Sequence, residues 1–156
     1  MKTLILYATK YGAAEEIAKR IAIQTGDATV LNMKFAGDEQ LADYDCVIIG
    51  SSVYAGMFRK EAKAFLKENA DDLCKKKLGL FICSMGDSNK DEVLKTNVPE
   101  NIINAALVTE SLGGMFDPKK ANFFERLIMK AVTKQSGFID KINDEKIKSF
   151  ADAMKV

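Results

Sequence analysis

The 156-residue chain contains no histidine. That absence removes every Ser-His and Cys-His nucleophile pair, and every His-ligated metal site. Cysteine is scarce as well. Cys46, Cys74 and Cys83 are odd in number and widely spaced, with no Cys-x-x-Cys. They fit neither a disulfide framework nor a zinc cluster, and an unpaired cysteine is most often buried packing. Long apolar runs are missing too, since none approaches the roughly 18 to 20 residues of a membrane span. The first run, Leu4 to Ala8, is too short for the core of a signal peptide. The expected home is therefore the cytoplasm. With the common catalytic groups absent, any chemistry is expected to be carried by a cofactor.

Neither sign of charge dominates: 23 basic residues stand against 22 acidic ones, a net charge of +1. The distribution is less even. Between Lys119 and Lys134 the bases Lys119, Lys120, Arg126, Lys130 and Lys134 face a single acid, Glu125, so this segment carries +4 and the rest −3. A mildly acidic body with one basic patch does not resemble a nucleic-acid binder, and no nucleic-acid partner is expected. Internal repeats, low-complexity tracts and linkers are also missing. The length suits one domain spanning residues 1–156.

What is present alternates between two periodicities. Thr3 to Ala8 is a continuous apolar run, the mark of a strand covered on both faces. After Gly12, residues Ala14, Ile17, Ala18, Ile21 and Ala22 recur at helical spacing, with Glu15–Lys19 and Glu16–Arg20 as i,i+4 pairs on the solvent side. Ala28 to Leu31 and Tyr44 to Gly50 are the second and third strands, and a helix runs from about Phe58 to Asn69. Leu78 to Ser84 is the fourth strand. A helical stretch from Asp91 to Ala105 follows, with Pro99 placed to restart a helix at its first turn. A fifth strand begins at Ala106 and ends near Gly113-Gly114. Asn143 should cap a last helix whose inner side is Ile147, Phe150, Ala151 and Met154. Strands alternating with helices in this way predict an α/β fold with a parallel sheet.

Ligands of such sheets bind outside the carboxyl ends of the strands, where the strand order reverses. Three loops are therefore candidates. The first holds Thr9, Lys10, Tyr11, Gly12, Ala13 and Ala14; the second holds Ser51, Ser52, Val53, Tyr54, Ala55 and Gly56; the third holds Ser84, Met85, Gly86, Asp87 and Ser88. The first opens a helix, whose free amides and dipole favour a phosphate. It lacks the Gly-Lys-Ser/Thr ending of a Walker loop and the glycine pattern of a dinucleotide turn. A plain tight turn with Gly12 as punctuation is the alternative reading of that loop.

Tyr7-Ala8-Thr9-Lys10-Tyr11-Gly12-Ala13-Ala14-Glu15, with Ile48-Ile49-Gly50-Ser51-Ser52-Val53-Tyr54-Ala55-Gly56, resembles the flavodoxin-like family. That family is the known case of a sheet in the order 2-1-3-4-5 with FMN at its switch point. The resemblance implies a three-layer sandwich, a five-stranded parallel sheet in that order with helices on both faces, and FMN as cofactor. Carried over, Thr9 to Ala14 would cradle the phosphate, Ser51 to Gly56 would line one ring face and Ser84 to Ser88 the other. The closest subgroup is the menaquinone-dependent protoporphyrinogen oxidases. Gly50-x-Ser52-Val53-x-x-Gly56 followed by Phe65 resembles their pattern, as does Phe124-Glu125-Arg126-Leu127-Ile128-Met129-Lys130 with Ser136-Gly137 beyond it. The subgroup implies an oxidoreductase with a quinone as electron acceptor. Two departures stand out. Ala14 replaces the usual Thr or Ser of the phosphate loop, and the third loop matches no subgroup closely.

Three functions follow as alternatives: an FMN oxidoreductase, a flavodoxin-type carrier between protein partners, and a flavin-less binding domain on the same fold. Tyr54 is the preferred ring-stacking residue, with Tyr11 second. Asp87 is read as lining only, and Cys83 as burial at the edge of the site. The segment Phe123–Lys134 has two readings. Phe123, Phe124, Leu127, Ile128, Ala131 and Val132 form an apolar stripe opposite Arg126, Lys130 and Lys134. Either the stripe is core and the bases are solvated, or the helix docks on an anionic membrane or an acidic partner, placing the protein peripherally on the inner membrane face.

Overall fold

The computed structural model describes residues 1–37, 39–86, 89–134 and 137–155. Along the chain run β1 (Thr3–Ala8), α1 (Ala13–Thr25), β2 (Ala28–Asn32), α2 (Glu39–Ala42), β3 (Cys46–Tyr54), β4 (Met57–Phe58), α3 (Lys60–Glu68) and α4 (Ala70–Leu73). They are followed by β5 (Lys77–Cys83), α5 (Lys90–Asn97), α6 (Glu100–Ala105), β6 (Val108–Ser111), β7 (Met115–Phe116), α7 (Phe123–Thr133), β8 (Ile139–Asp140) and α8 (Asp144–Met154).

The sheet runs β2-β1-β3-β5-β6, and every neighbouring pair on that path is parallel. Taking those strands in sequence order, this is the expected 2-1-3-4-5. The short β4 adds a sixth strand, pairing antiparallel with the end of β3. Successive side chains of a strand point to opposite faces, and both faces are covered. Leu4, Leu6, Val47, Ile49, Leu78 and Leu80 pack on one side beneath Ala62, Leu66, Val93, Leu94 and Ile102 of α3, α5 and α6. Ile5, Tyr7, Cys46, Ile48 and Phe81 pack on the other beneath Ile17, Ile21, Ile147, Phe150 and Met154 of α1 and α8. Gly50 is required here, because a Cβ would run into the Phe81 ring crossing over it.

Asn143 caps α8 as anticipated, its side chain accepting the Lys146 N–H. Pro99 sits one residue earlier than expected, as the N-cap of α6. A larger correction concerns the third strand. It does not stop at Gly50 but runs on to Tyr54, then folds back through Ala55-Gly56 into β4. Both turn residues have positive φ, 50° for Ala55 and 76° for Gly56, as a two-residue hairpin of matching twist requires. Ser51 holds the extension in register: its buried hydroxyl accepts the Arg59 N–H at 3.0 Å.

Between β6 and α8 the chain leaves the sheet. Residues from Gly114 to Asp140 form an excursion in which β7 and β8 pair as a two-stranded antiparallel ribbon with α7 between them. Its base is tightly built. The Gly113 carbonyl accepts the Ser84 N–H at 2.9 Å, and the Gly114 carbonyl accepts the Lys141 N–H at 2.7 Å.

Candidate functional site

The carboxyl ends of β1, β3, β5 and β6 meet along one edge of the sheet, and a cleft opens there. Thr9, Lys10, Tyr11, Ala13, Ser52, Val53, Tyr54, Ser84 and Met85 line it, so all three candidate loops converge. Gly12, Ala14, Ser51, Ala55, Gly56 and Gly86 do not line it. Ala14 and Ser51 are fully buried behind the wall, while Ala55 and Gly56 make the hairpin turn beside it. Asp87 and Ser88, also expected in the third loop, lie outside the described residues.

At one end of the cleft α1 begins. Its N-cap is Gly12, in the left-handed region at φ 91° and with no side-chain cap. The Glu16 N–H is the first to find the Gly12 carbonyl, at 3.1 Å, so the amides before it have no intrahelical acceptor. Thr9 Oγ1 accepts the Gly12 N–H at 2.9 Å and fixes the loop. Two acids in the first turn would repel an anion here, but each is paired with a cation one turn on: Glu15 with Lys19 at 2.8 Å, Glu16 with Arg20 at 2.9 Å. The turn is thus an anion-ready helix end.

Next to it stands a wall of rings. Tyr11 meets the buried Phe116 edge to face at 5.8 Å. The Lys10 ammonium lies 5.3 Å from the Tyr11 ring centroid and 5.7 Å from that of Tyr54, within cation–π range of both. Tyr54 itself is 55% exposed at the mouth. On the far side Gly114 backs onto Ser84 and Met85, where a Cβ would come within 2.9 Å of the Ser84 backbone. Only glycine lets β7 lie so close to the third loop. A flat ring bearing an anionic tail fits this combination of rings, amides and small residues.

Several lining residues escaped the sequence reading: Arg59, Gly114, Met115, Phe116 and Met129. Arg59 sits at the start of α3 and reaches the cleft only because β3 folds back through the unrecognised hairpin. The others come from the excursion, which no local pattern ties to the first loop. Cys83 also lines the cleft. Burial pushes its thiol up to about 12, so it stays protonated and unreactive.

The excursion overturns the reading of the Phe123–Lys134 stripe as core. Glu125 and Met129, one turn apart, form the inner face of α7: Glu125 pairs with Lys10 at 3.3 Å, and Met129 lines the cleft. The apolar stripe therefore points outward. Phe124 is 74% and Phe123 63% exposed, with Leu127 and Ile128 also exposed beside them. The side chain of Val132 and all of Ser136 lie outside the described residues. The Lys10–Glu125 pair holds the polar edge of the helix against the first loop.

A family model described as a flavodoxin domain matches residues 4–141, and the chain belongs to that family. It is an FMN-binding flavoprotein domain. Among curated proteins it is 27% identical over 147 residues to a protoporphyrinogen IX dehydrogenase (quinone) of Leishmania major, an alignment covering 87% of this chain and 64% of that protein. It is 35% identical over 77 residues to the Escherichia coli K12 protein of the same name, covering 47% of this chain and 42% of that one. The chain thus spans less than two-thirds of the length of these relatives. Among solved structures, oxidised flavodoxin 1 from Bacillus cereus overlays with a TM-score of 0.63 at 15% identity, covering 99% of this chain and 97% of that one. A short-chain flavodoxin associated with a bacterial microcompartment overlays equally well, with the same score and coverage. Both overlays establish the fold.

Proposed function

We propose that this chain is the FMN-bearing domain of an oxidoreductase that oxidises a porphyrinogen-type substrate and passes the electrons to a quinone. When bound, FMN supplies the hydride or single-electron chemistry, and the protein supplies position and environment. In this reading the amides at the start of α1, with Thr9, hold the phosphate. Tyr54 and Tyr11 stack against the ring from one side, while Ser84 and Met85 close the other. Lys10 and Arg59 are the cations nearest the substrate mouth, suited to an anionic substrate. The side-chain hydroxyl that Ala14 lacks costs one hydrogen bond to the phosphate, worth about 1 kcal/mol, and leaves the backbone amides to hold it.

The observation that carries this reading is the outward apolar face of α7 beside the cleft. A carrier that meets only protein partners has no evident use for four large apolar side chains in water next to its cofactor, whereas a quinone dissolves in a bilayer. The basic residues flanking that face suit an anionic membrane surface, so we include peripheral membrane contact through Phe123–Lys134 in the proposal. The 27% identity to a quinone-linked dehydrogenase, spread over 87% of this chain, supports it. The test is an assay of FMN-loaded protein with protoporphyrinogen and a soluble quinone. Substrate-dependent quinone reduction is expected. If the flavin exchanges electrons only with reductase proteins, and never with the porphyrinogen, the carrier reading replaces this one.

A further inference from the structure

Lys120 closes the 3-10 turn Pro118–Lys120 at the entrance to the excursion. It is remote from the first loop in sequence, yet a Cβ built on Gly12 would lie 3.1 Å from its ammonium nitrogen. The ammonium therefore stands over the N-cap of α1. That is the wrong end of a helix for a cation, because the dipole there is positive and repels it. No local acid explains the placement. The Asp117 carboxylate is occupied in capping the turn, accepting the Lys119 N–H at 3.0 Å. Among the described residues no ion pair involves Lys120, whereas Lys10, the cation of the first loop itself, is paired with Glu125 at 3.3 Å. A cation held against the positive end of a helix becomes favourable once a dianion sits between them.

We propose that Lys120 is a direct ligand of the FMN phosphate, supplying from the excursion the polar contact that the first loop lost at Ala14. This rests on the reading of Thr9 to Ala14 as the phosphate loop. It has a second consequence. The same short segment leads through Asn122 into α7, so a phosphate gripped by both α1 and Lys120 ties the excursion to the body of the protein. Glu125 and Met129 are then held over the cleft by the cofactor itself. Coupling of this kind is reciprocal: FMN orders the excursion, and an ordered excursion binds FMN more tightly. Riboflavin, which has the same ring and no phosphate, does neither.

The experiment titrates apo-protein with FMN and with riboflavin, following quenching of flavin fluorescence, in the native chain, Lys120→Gln, Lys120→Arg, Lys119→Gln and Thr9→Ala. Lys120→Gln should weaken FMN about tenfold at low salt, the low end for an exposed charge-assisted contact, and leave riboflavin within about twofold. Lys120→Arg should recover most of the loss, and Lys119→Gln should behave as native. Limited trypsin digestion supplies an independent readout: FMN, and not riboflavin, should slow cleavage within 119–134 of the native chain, and Lys120→Gln should abolish that protection. Equal weakening of FMN and riboflavin by Lys120→Gln would show that Lys120 acts through the fold, and would overturn the proposal. If Thr9→Ala selectively weakens FMN while Lys120→Gln does not, the phosphate loop stands and the role of Lys120 falls. If neither variant separates FMN from riboflavin, the phosphate-loop reading itself has failed, and this inference with it.

Discussion

Asn97 shows how much of the site depends on one buried amide. Its Oδ1 accepts the Phe58 N–H at 2.9 Å, and its Nδ2 donates to the Gly56 carbonyl and the Val93 carbonyl, each at 2.8 Å. One side chain on α5 thus ties the outgoing half of the β3–β4 turn, Gly56 to Phe58, to the helix beneath it. Asn97→Ala strands a buried donor and acceptor, and is expected to cost about 2 to 3 kcal/mol, read as a lower denaturant midpoint with weaker flavin binding. Ala55 acts in the opposite direction. At φ 50° it carries a side chain where glycine is favoured, so Ala55→Gly should stabilise the domain by about 1 kcal/mol. A loss of stability in that variant would show that the turn is not strained. Cys83 contributes through its proton. Its folded pKa, pushed up to about 12 by burial, lies above the ordinary thiol value of 9.0, so the unfolded chain releases this proton first as pH rises. The stability it confers is complete below pH 9.0 and is lost as pH climbs towards 12. Burial shifts Cys46 and Tyr7 in the same direction. The melting temperature should therefore fall steadily above pH 9, and less steeply in Cys83→Ala. Equal slopes for the two proteins would contradict this account.

Among elements, α7 is the one whose periodicity misleads. Its spacing marks an apolar stripe and a basic side, and a pattern of that kind is usually core packing. Here the polar Glu125 faces inward to Lys10 and the stripe faces water. Phe124→Ser should therefore leave the melting temperature within about 2 °C of native, since exposed substitutions stay within roughly 0.5 kcal/mol. A collapse in stability would mean that the stripe is packed after all. The membrane reading predicts more. Native protein should co-sediment with vesicles rich in anionic lipid, and Lys130→Glu with Lys134→Glu should weaken that binding by about 1 kcal/mol for each positive charge lost. Added salt should do the same. Vesicle binding that ignores both the charge reversal and salt would remove the basic face from the account. The β3–β4 hairpin is the other element that local reading missed. Ala-Gly is not among the strong hairpin dipeptides, so the apolar run of β3 reads as ending at Gly50 when only neighbours in sequence are weighed.

At the scale of the whole molecule, a cofactor bound to the folded state alone must raise stability by mass action. With free FMN at a hundred times its dissociation constant the gain is about 2.7 kcal/mol, equivalent to a melting shift of roughly 5 to 10 °C for a chain of this size. FAD should give a smaller shift, because the cleft has one anion-ready helix end and the chain no second glycine-rich turn for an adenosine half. A larger shift with FAD would contradict the assignment of the first loop. No described helix is long and apolar enough to cross a membrane.

The strand order 2-1-3-4-5 came with the flavodoxin-like resemblance; the sequence by itself determined the parallel sheet and the three loops that follow its strands. Those features rest on local signals. Runs such as Leu4 to Ala8 are apolar on both sides of a strand, and right-handed crossovers leave few ways to join them. Asn143 as a cap was legible for the same reason, since capping is settled within four residues. Only the tertiary structure decided what lies across the loops. Arg59 entered the cleft through a hairpin, Met129 and Phe116 through the excursion, and Lys120 came to rest over Gly12. It also decided that the stripe of α7 faces outward. Periodicity states which residues share a helix face, but the direction of that face is set by what anchors the ends. For α7 the anchors are the β7–β8 ribbon and the Lys10–Glu125 pair, contacts between residues far apart in the chain that no local pattern encodes.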